Sequence, residues 1–185
     1  ADDSGAFEEA NQARPPQAFR AIGATYEAIG IFDRAAYYYE EYAKRAPNAP
    51  DALGALESAA AFRFGLDETA LAISDIEQIV KTHARSSPKR VAQVVLALAS
   101  HHAKRKDWER TRKVLSTHRN LFDAAPIDLQ LRAHALLARA GARRADEYAW
   151  VRASYRAEQL DAQFDRSEIA REFLADMVFG VNAQR

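Results

Sequence analysis

The apolar positions of this chain follow the period of an α-helix rather than that of a strand. The run Val94–Leu96 lies inside a longer helical pattern, and the other β-branched residues are scattered along the sequence. Alanine, leucine, glutamate and arginine dominate, and all four favour helix. The pattern therefore predicts an all-α chain.

Helix-breaking residues recur at intervals that suggest repeated units. From Pro15 through Pro47 and Pro88 to Pro126, the spacing is about 32 to 41 residues, the range of helical repeats. Such repeats are pairs of helices that bury their apolar sides only by stacking on their neighbours. The clusters of breakers are Pro15–Pro16, Pro47–Pro50, Ser86–Pro88, Pro126 and 161–165.

The first interval carries a specific motif. The tetratricopeptide repeat has the pattern W-x₂-L-G-x₂-Y, then A-x₃-F, then P. The segment 16–49 resembles this unit, and the resemblance implies an α-solenoid of stacked antiparallel helix hairpins in a right-handed superhelix. The matching positions are Phe19, Ile22, Gly23, Tyr26, Ala35, Tyr39 and Pro47.

The rest of the chain fits the motif with fewer matches. We expect one repeat domain over 1–185, and its parts are a partial or capping helix at 1–15, repeats at 16–49, 50–86, 87–124 and 125–160, and a capping helix or fifth repeat at 165–180. The chain is then either a fragment of a longer array or a domain closed by its last helix.

Four tyrosines within six residues, in the stretch AAYYYEEY, need separate interpretations. Tyr39 and Tyr42 lie three residues apart on one helix face, which predicts core positions. In the tetratricopeptide pattern, Gly23 and Ala35 are small because two helices approach closely. Tyr37 is expected on the convex exterior with Tyr38 beside the core, so a convex contact would comprise Phe32, Tyr37 and Tyr38.

Composition narrows the class of partner. The chain has 48% hydrophobic and 28% charged residues and a formal net charge of zero, without a long basic run. This argues against nucleic acid or an anionic membrane as the main partner, and no apolar run is long enough for membrane insertion. Without cysteine, disulfides, thiol catalysis and Cys-containing zinc sites are excluded.

The compartment stays open between the periplasm and the cytoplasm of a bacterium. The excess of arginine over lysine suggests a GC-rich bacterial genome. The chain begins at Ala1 rather than Met, as after removal of a signal peptide or at a chosen domain boundary, and the periplasm is slightly favoured.

Residues capable of catalysis are not arranged as a site. His101 and His102 are adjacent and diverge by about 100° on a helix, so they predict no metal site. The pairs Glu8–Glu9 and Glu40–Glu41 diverge in the same way and are interpreted as solvated faces. No nucleophile elbow, phosphate-binding loop or dinucleotide fingerprint occurs, so we expect neither an enzyme nor a cofactor.

The resemblance implies a scaffold or adaptor that binds a peptide or helical segment in a concave groove, within an envelope, secretion or motility assembly. The alternatives are a ligand-sensing or regulatory domain and the non-catalytic region of a larger enzyme; the oligomeric state stays open. The carboxylate clamp of chaperone-binding members is not expected, because Ala24 lies where they have asparagine. The expected groove residues are Arg20, Ala24, Glu27, Ser58, Gln93, Ser100, Gln130 and His134.

Overall fold

The computed structural model describes residues 14–140, and within that range every regular element is an α-helix. The predicted all-α class is confirmed for this part of the chain. Three predicted parts lie outside the described residues: the helix at 1–15, the second half of the 125–160 repeat and the helix at 165–180. The helices are α1 (Pro16–Ala28), α2 (Phe32–Arg45), α3 (Ala52–Gly65), α4 (Thr69–His83), α5 (Pro88–Lys104), α6 (Trp108–Thr117), α7 (Arg119–Asp123) and α8 (Ile127–Arg139).

The helix ends follow from local chemistry. Pro16 and Pro88 each open a helix, where proline is tolerated because the first N–H groups of a helix have no partner inside it. Asp107 precedes α6 and accepts a hydrogen bond from the backbone N–H of Arg110 at 3.0 Å. This is a side-chain cap on an otherwise unsatisfied donor.

The contacts divide the chain into two compact units, and the boundary in the sequence lies between Ala84 and Arg85. The first unit contains α1 to α4, and the second contains α5 to α8. Each unit is described by itself below.

In the first unit each helix packs on the next one along the chain: α1 on α2, α2 on α3, and α3 on α4. One apolar cluster joins the first three helices. Its buried members are Phe19, Ala36, Tyr38, Tyr39, Tyr42, Ala55 and Ala59. Three of the four clustered tyrosines are therefore core residues, including Tyr38, which the sequence places only beside the core.

The closest approach of α1 and α2 occurs at Gly23. A Cβ atom at this position would lie 2.8 Å from Cδ1 of Tyr39, closer than real Cβ contacts come. Ala35, the small residue that begins the matching part of the second helix, is fully buried. The prediction that Gly23 is small because two helices approach closely is confirmed, and the ring that requires the glycine is Tyr39. For Ala35 the structure shows the predicted burial.

In the second unit α5 is the central helix. It packs against α6 and α8, and the short α7 contacts both α5 and α8. The core comes from apolar residues on all four helices, which include Val91, Val95, Leu115, Phe122 and Leu129.

The same turn follows α1, α3 and α5. In each turn one residue has a left-handed backbone: Gly30 (φ 75°), Asp67 (φ 61°) and Lys106 (φ 60°). Its N–H donates to the carbonyl three residues earlier, and the next N–H donates to the carbonyl five residues earlier, at 2.8–3.2 Å. These paired bonds define the Schellman motif, which satisfies the last carbonyls of a helix.

The turns also fix equivalent core positions in the three hairpins. Five residues after each left-handed residue comes a small, fully buried residue; these are Ala35, Ala72 and Thr111. Nine residues after it comes a large buried residue, and these are Tyr39, Ile76 and Leu115. The interval between successive turns is slightly under forty residues.

Candidate functional site

The outer face of α1 carries three of the expected groove residues. Arg20, Ala24 and Glu27 are spaced four and three residues apart, so they lie along one side of the helix, and all three are exposed. The adjoining side of α1, about 100° around the helix, is held in the core by Phe19 and Gly23. The helix therefore presents a basic, a small and an acidic residue in a row on a fixed support.

Two contacts fix the charged ends of this row. The Nε atom of Arg20 lies 3.4 Å from Oδ2 of Asp51, just before α3. The hydroxyl of Tyr39 donates to Oε2 of Glu27 at 2.5 Å. Burial, and then this bond to Glu27, raise the pKa of Tyr39 to about 12, so its hydroxyl remains a donor through neutral pH.

On α3, alignment on the repeated turn moves the expected groove position from Ser58 to the preceding residue. Counted from the left-handed residues, the equivalents of Arg20 and Ala24 are Glu57 and Ala61 rather than Ser58. Ala61 is exposed, whereas Ser58 is half-buried. Sequence spacing alone could not give this position, because the second interval is longer than the 34-residue motif.

The expected groove residues of the second unit differ in accessibility. Gln93 is exposed and Ser100 is half-buried. The side-chain amide of Gln130 donates to the carbonyl of Ala125 at 2.8 Å. His134 is only 2% exposed, so the expectation that it faces a groove is not met: its position on α8 places it in the core.

The three residues of the expected convex contact also differ in exposure. Phe32 and Tyr37 are more than 40% exposed, and Phe32 touches Phe62 with ring centroids 4.9 Å apart. Tyr38 is buried and stacks on Tyr26 at 5.5 Å with nearly parallel rings. Only Phe32 and Tyr37 remain available at this surface.

A cluster of charged side chains reaches into the interior of the first unit, where the sequence predicted none. Its members Arg63 and Asp75 are buried, whereas the side chains of Glu40 and Glu68 are 25% and 40% exposed. Arg63 on α3 is 7% exposed, and all three nitrogen atoms of its guanidinium are engaged. Nε and Nη2 donate to the two carboxylate oxygens of Glu40 on α2, at 2.7 and 3.1 Å. Nη1 donates to Glu68, between α3 and α4, at 2.6 Å. This arginine therefore links two helices and a turn, and the bond to Glu40 is the first cause of its raised pKa.

Asp75 on α4 adds a third carboxylate to this cluster. It is 6% exposed, and its Oδ2 atom is fully buried without a hydrogen-bond partner among the described residues. Burial, and then the charge of Glu40, raise its pKa to about 7, and the charge of Arg63 opposes them. We call Glu40, Arg63, Glu68 and Asp75 the interior charge cluster.

The sequence contained a signal for this cluster. Asp75 interrupts the apolar stripe of Ala72, Ile76 and Ile79 on α4, and a charged residue in such a stripe is rarely buried unless it is paired with another group. The interpretation of Glu40–Glu41 as a solvated face is wrong for both residues. Their side chains are only 25% and 17% exposed, and each pairs with an arginine, Arg63 for Glu40 and Arg45 for Glu41. The sequence pattern did not indicate Arg63 as a partner of Glu40, because the two residues are 23 positions apart.

The adjacent histidines of α5 have different surroundings. His102 is buried, and burial is the main reason that its pKa is lowered. The ring of His101 meets it edge-on with centroids 5.8 Å apart. Among residues 14–140, no group of three or more His, Cys, Asp or Glu side chains is placed to hold a metal ion.

Two further findings concern the class of protein. Within the described part of the chain, no helix combines the length and apolarity needed to cross a membrane. Comparison of the whole chain with protein-family models, curated proteins and solved structures yields no match. A function must therefore follow from the side chains described above.

Proposed function

We propose that this chain is a protein-interaction module built of helical hairpin repeats, stacked as an α-solenoid of the tetratricopeptide type. Its first-helix face binds an extended or helical segment of a protein partner, and the module acts as a scaffold or adaptor in a bacterial assembly. The carrying observation is the Schellman turn that recurs after α1, α3 and α5. Three hairpins with one turn geometry and equivalent buried positions are what a repeat array requires.

The chemistry of the α1 face supports a peptide ligand. Arg20 and Glu27 can each hydrogen-bond a partner, and both are held in place by contacts within the unit. Ala24 between them leaves room for a partner's backbone or side chain to approach the helix. Opposite charges at the two ends of the row favour one direction of the bound segment.

The test places a photo-crosslinking amino acid at position 24 in the full chain, expressed in the cells that naturally produce it. The same residue at position 37 samples the alternative surface around Tyr37. The proposal expects a discrete partner to be crosslinked from position 24 and not from position 37. Crosslinking only from position 37 would transfer the binding site to the second-helix surface, and no partner at either position would contradict an interaction module.

A charge reversal tests the same face of α1 without a crosslinking residue. Arg20→Glu is expected to weaken binding of the identified partner by roughly 1 kcal/mol, about fivefold. The matched control is Arg34→Glu, because both arginines are more than half exposed and each pairs with one aspartate, at 3.4 and 3.9 Å. Equal losses in both variants would indicate an unspecific charge effect.

A further inference from the structure

The interior charge cluster has two more acidic side chains than basic ones. It contains three carboxylates and a single guanidinium, and Glu40 and Glu68 already occupy all three nitrogen atoms of Arg63. Asp75 is within the electrostatic influence of Glu40 and Arg63, and its buried Oδ2 atom accepts no hydrogen bond from any described residue. A carboxyl group in such surroundings costs much more free energy when it is charged than when it is protonated.

We propose that this cluster is a proton-operated latch: α4 is closed against α3 while Asp75 carries a proton, and loss of that proton loosens α4. The device is independent of the binding face on α1. It gives the first unit a response to pH in a range where ordinary aspartates do not titrate.

The groups around Asp75 come from each neighbouring element. Glu40 on α2 opposes its ionisation and Arg63 on α3 favours it, while Glu68 accepts a hydrogen bond from Arg63. On α4 itself, the residues one turn away on either side are Leu71, Ala72, Gln78 and Ile79, none of which is charged. His83 lies two turns further along the same helix.

The direction of the effect follows from proton linkage. The pKa of Asp75 rises from 3.8 to about 7 in the folded unit, so the folded state binds the proton more tightly than the unfolded or opened state. The stability that this proton supplies is complete below pH 4 and is lost progressively as pH rises to about 7. Above that pH, Asp75 is ionised in both states and the loss is complete.

The direct measurement is a carbon-13 NMR titration of the Asp75 carboxyl in the full chain. If the latch exists, Asp75 should titrate with a midpoint near neutral pH. A midpoint near pH 4 would overturn the proposal. Hydrogen exchange measured in parallel, and corrected for its intrinsic pH dependence, should show α4 opening about tenfold more often at pH 8 than at pH 6. Exchange in α1 should change much less, and equal changes in both helices would contradict a local latch.

Two variants separate the proton from the packing. Asp75→Asn keeps the shape and stays neutral, so α4 exchange should lose its extra pH dependence. The control is Glu77→Gln, which removes an exposed carboxylate two residues away and should behave as the native chain. If Asp75→Asn retained the native pH dependence, the latch would be refuted. If that variant did not fold, the titration and the exchange of the native chain would still decide.

Discussion

At the scale of single residues, the contact of Gly23 with Tyr39 limits what α1 can tolerate. The ring of Tyr39 cannot easily move away, because its hydroxyl is bound to Glu27 and its face lies 6.4 Å from the ring of Phe62. A methyl group at position 23 must therefore displace a buried ring or separate two helices. Overpacking of this kind usually costs more than the helix propensity that alanine brings.

We expect Gly23→Ala to lower the free energy of unfolding by about 1 kcal/mol, the balance of overpacking against the gain in propensity. Chemical denaturation of the purified chain measures this change. Gly65→Ala is the matched control, since a Cβ there meets no atom within 4 Å. That control should be neutral or slightly stabilising. An unchanged stability of Gly23→Ala would mean that the helices are packed less tightly than the structure indicates.

At the scale of elements, the recurring turn exposes a difference between the three hairpins. Gly30 occupies the left-handed position without strain, whereas Asp67 and Lys106 carry side chains there. Aspartate is tolerated in this conformation because its short polar side chain bonds locally, but lysine has no such compensation. The turn before α6 is therefore the most strained of the three.

Exchanging residues at these turns should have opposite effects. Gly30→Ala should destabilise the first unit by about 1 kcal/mol, and the cost is conformational because a Cβ at Gly30 meets no atom within 4 Å. Lys106→Gly should stabilise the second unit by a similar or smaller amount, about 0.5–1 kcal/mol. Thermal denaturation of both variants provides the measurement. A loss of stability in Lys106→Gly would show that its side chain compensates for the strain.

Much of the helical arrangement could be predicted at this scale, and the reasons are local. Helix ends could be predicted from prolines, because Pro16 and Pro88 each open a helix and Pro47 follows the end of one. The packing of the first hairpin could be predicted from the spacing of Gly23, Ala35 and Tyr39. The interior charge cluster was missed because its contacts join separate helices. Glu40 binds Arg63, and Asp75 is affected by its own burial and by the charge of Glu40, and no local pattern brings these three together.

At the scale of the whole molecule, the division at Ala84 and Arg85 gives each unit its own core. In repeat proteins, stability is approximately a sum of terms within units and between neighbours. Damage to one core is then felt most strongly in that unit. The sequence favoured one domain over 1–185, because the spacing of breakers is similar throughout and carries no mark of such a division.

A pair of core truncations tests this independence. Leu56→Ala removes a buried side chain of α3, and Leu115→Ala removes one of α6. Each should cost about 2–5 kcal/mol within its own unit. Hydrogen exchange should accelerate mainly in α1 to α4 for the first variant and mainly in α5 to α8 for the second. Uniform acceleration across the chain in either variant would show that the units unfold together.

The identical turns have a consequence for how such a chain can change in length. A segment cut at Gly30 and Asp67 begins and ends with the same backbone geometry and the same paired hydrogen bonds. A tandem duplication with those endpoints would join each copy through a turn that the chain already forms, and a deletion would leave one intact. Recombination within the gene can thus change the number of hairpins without requiring a new turn geometry between them.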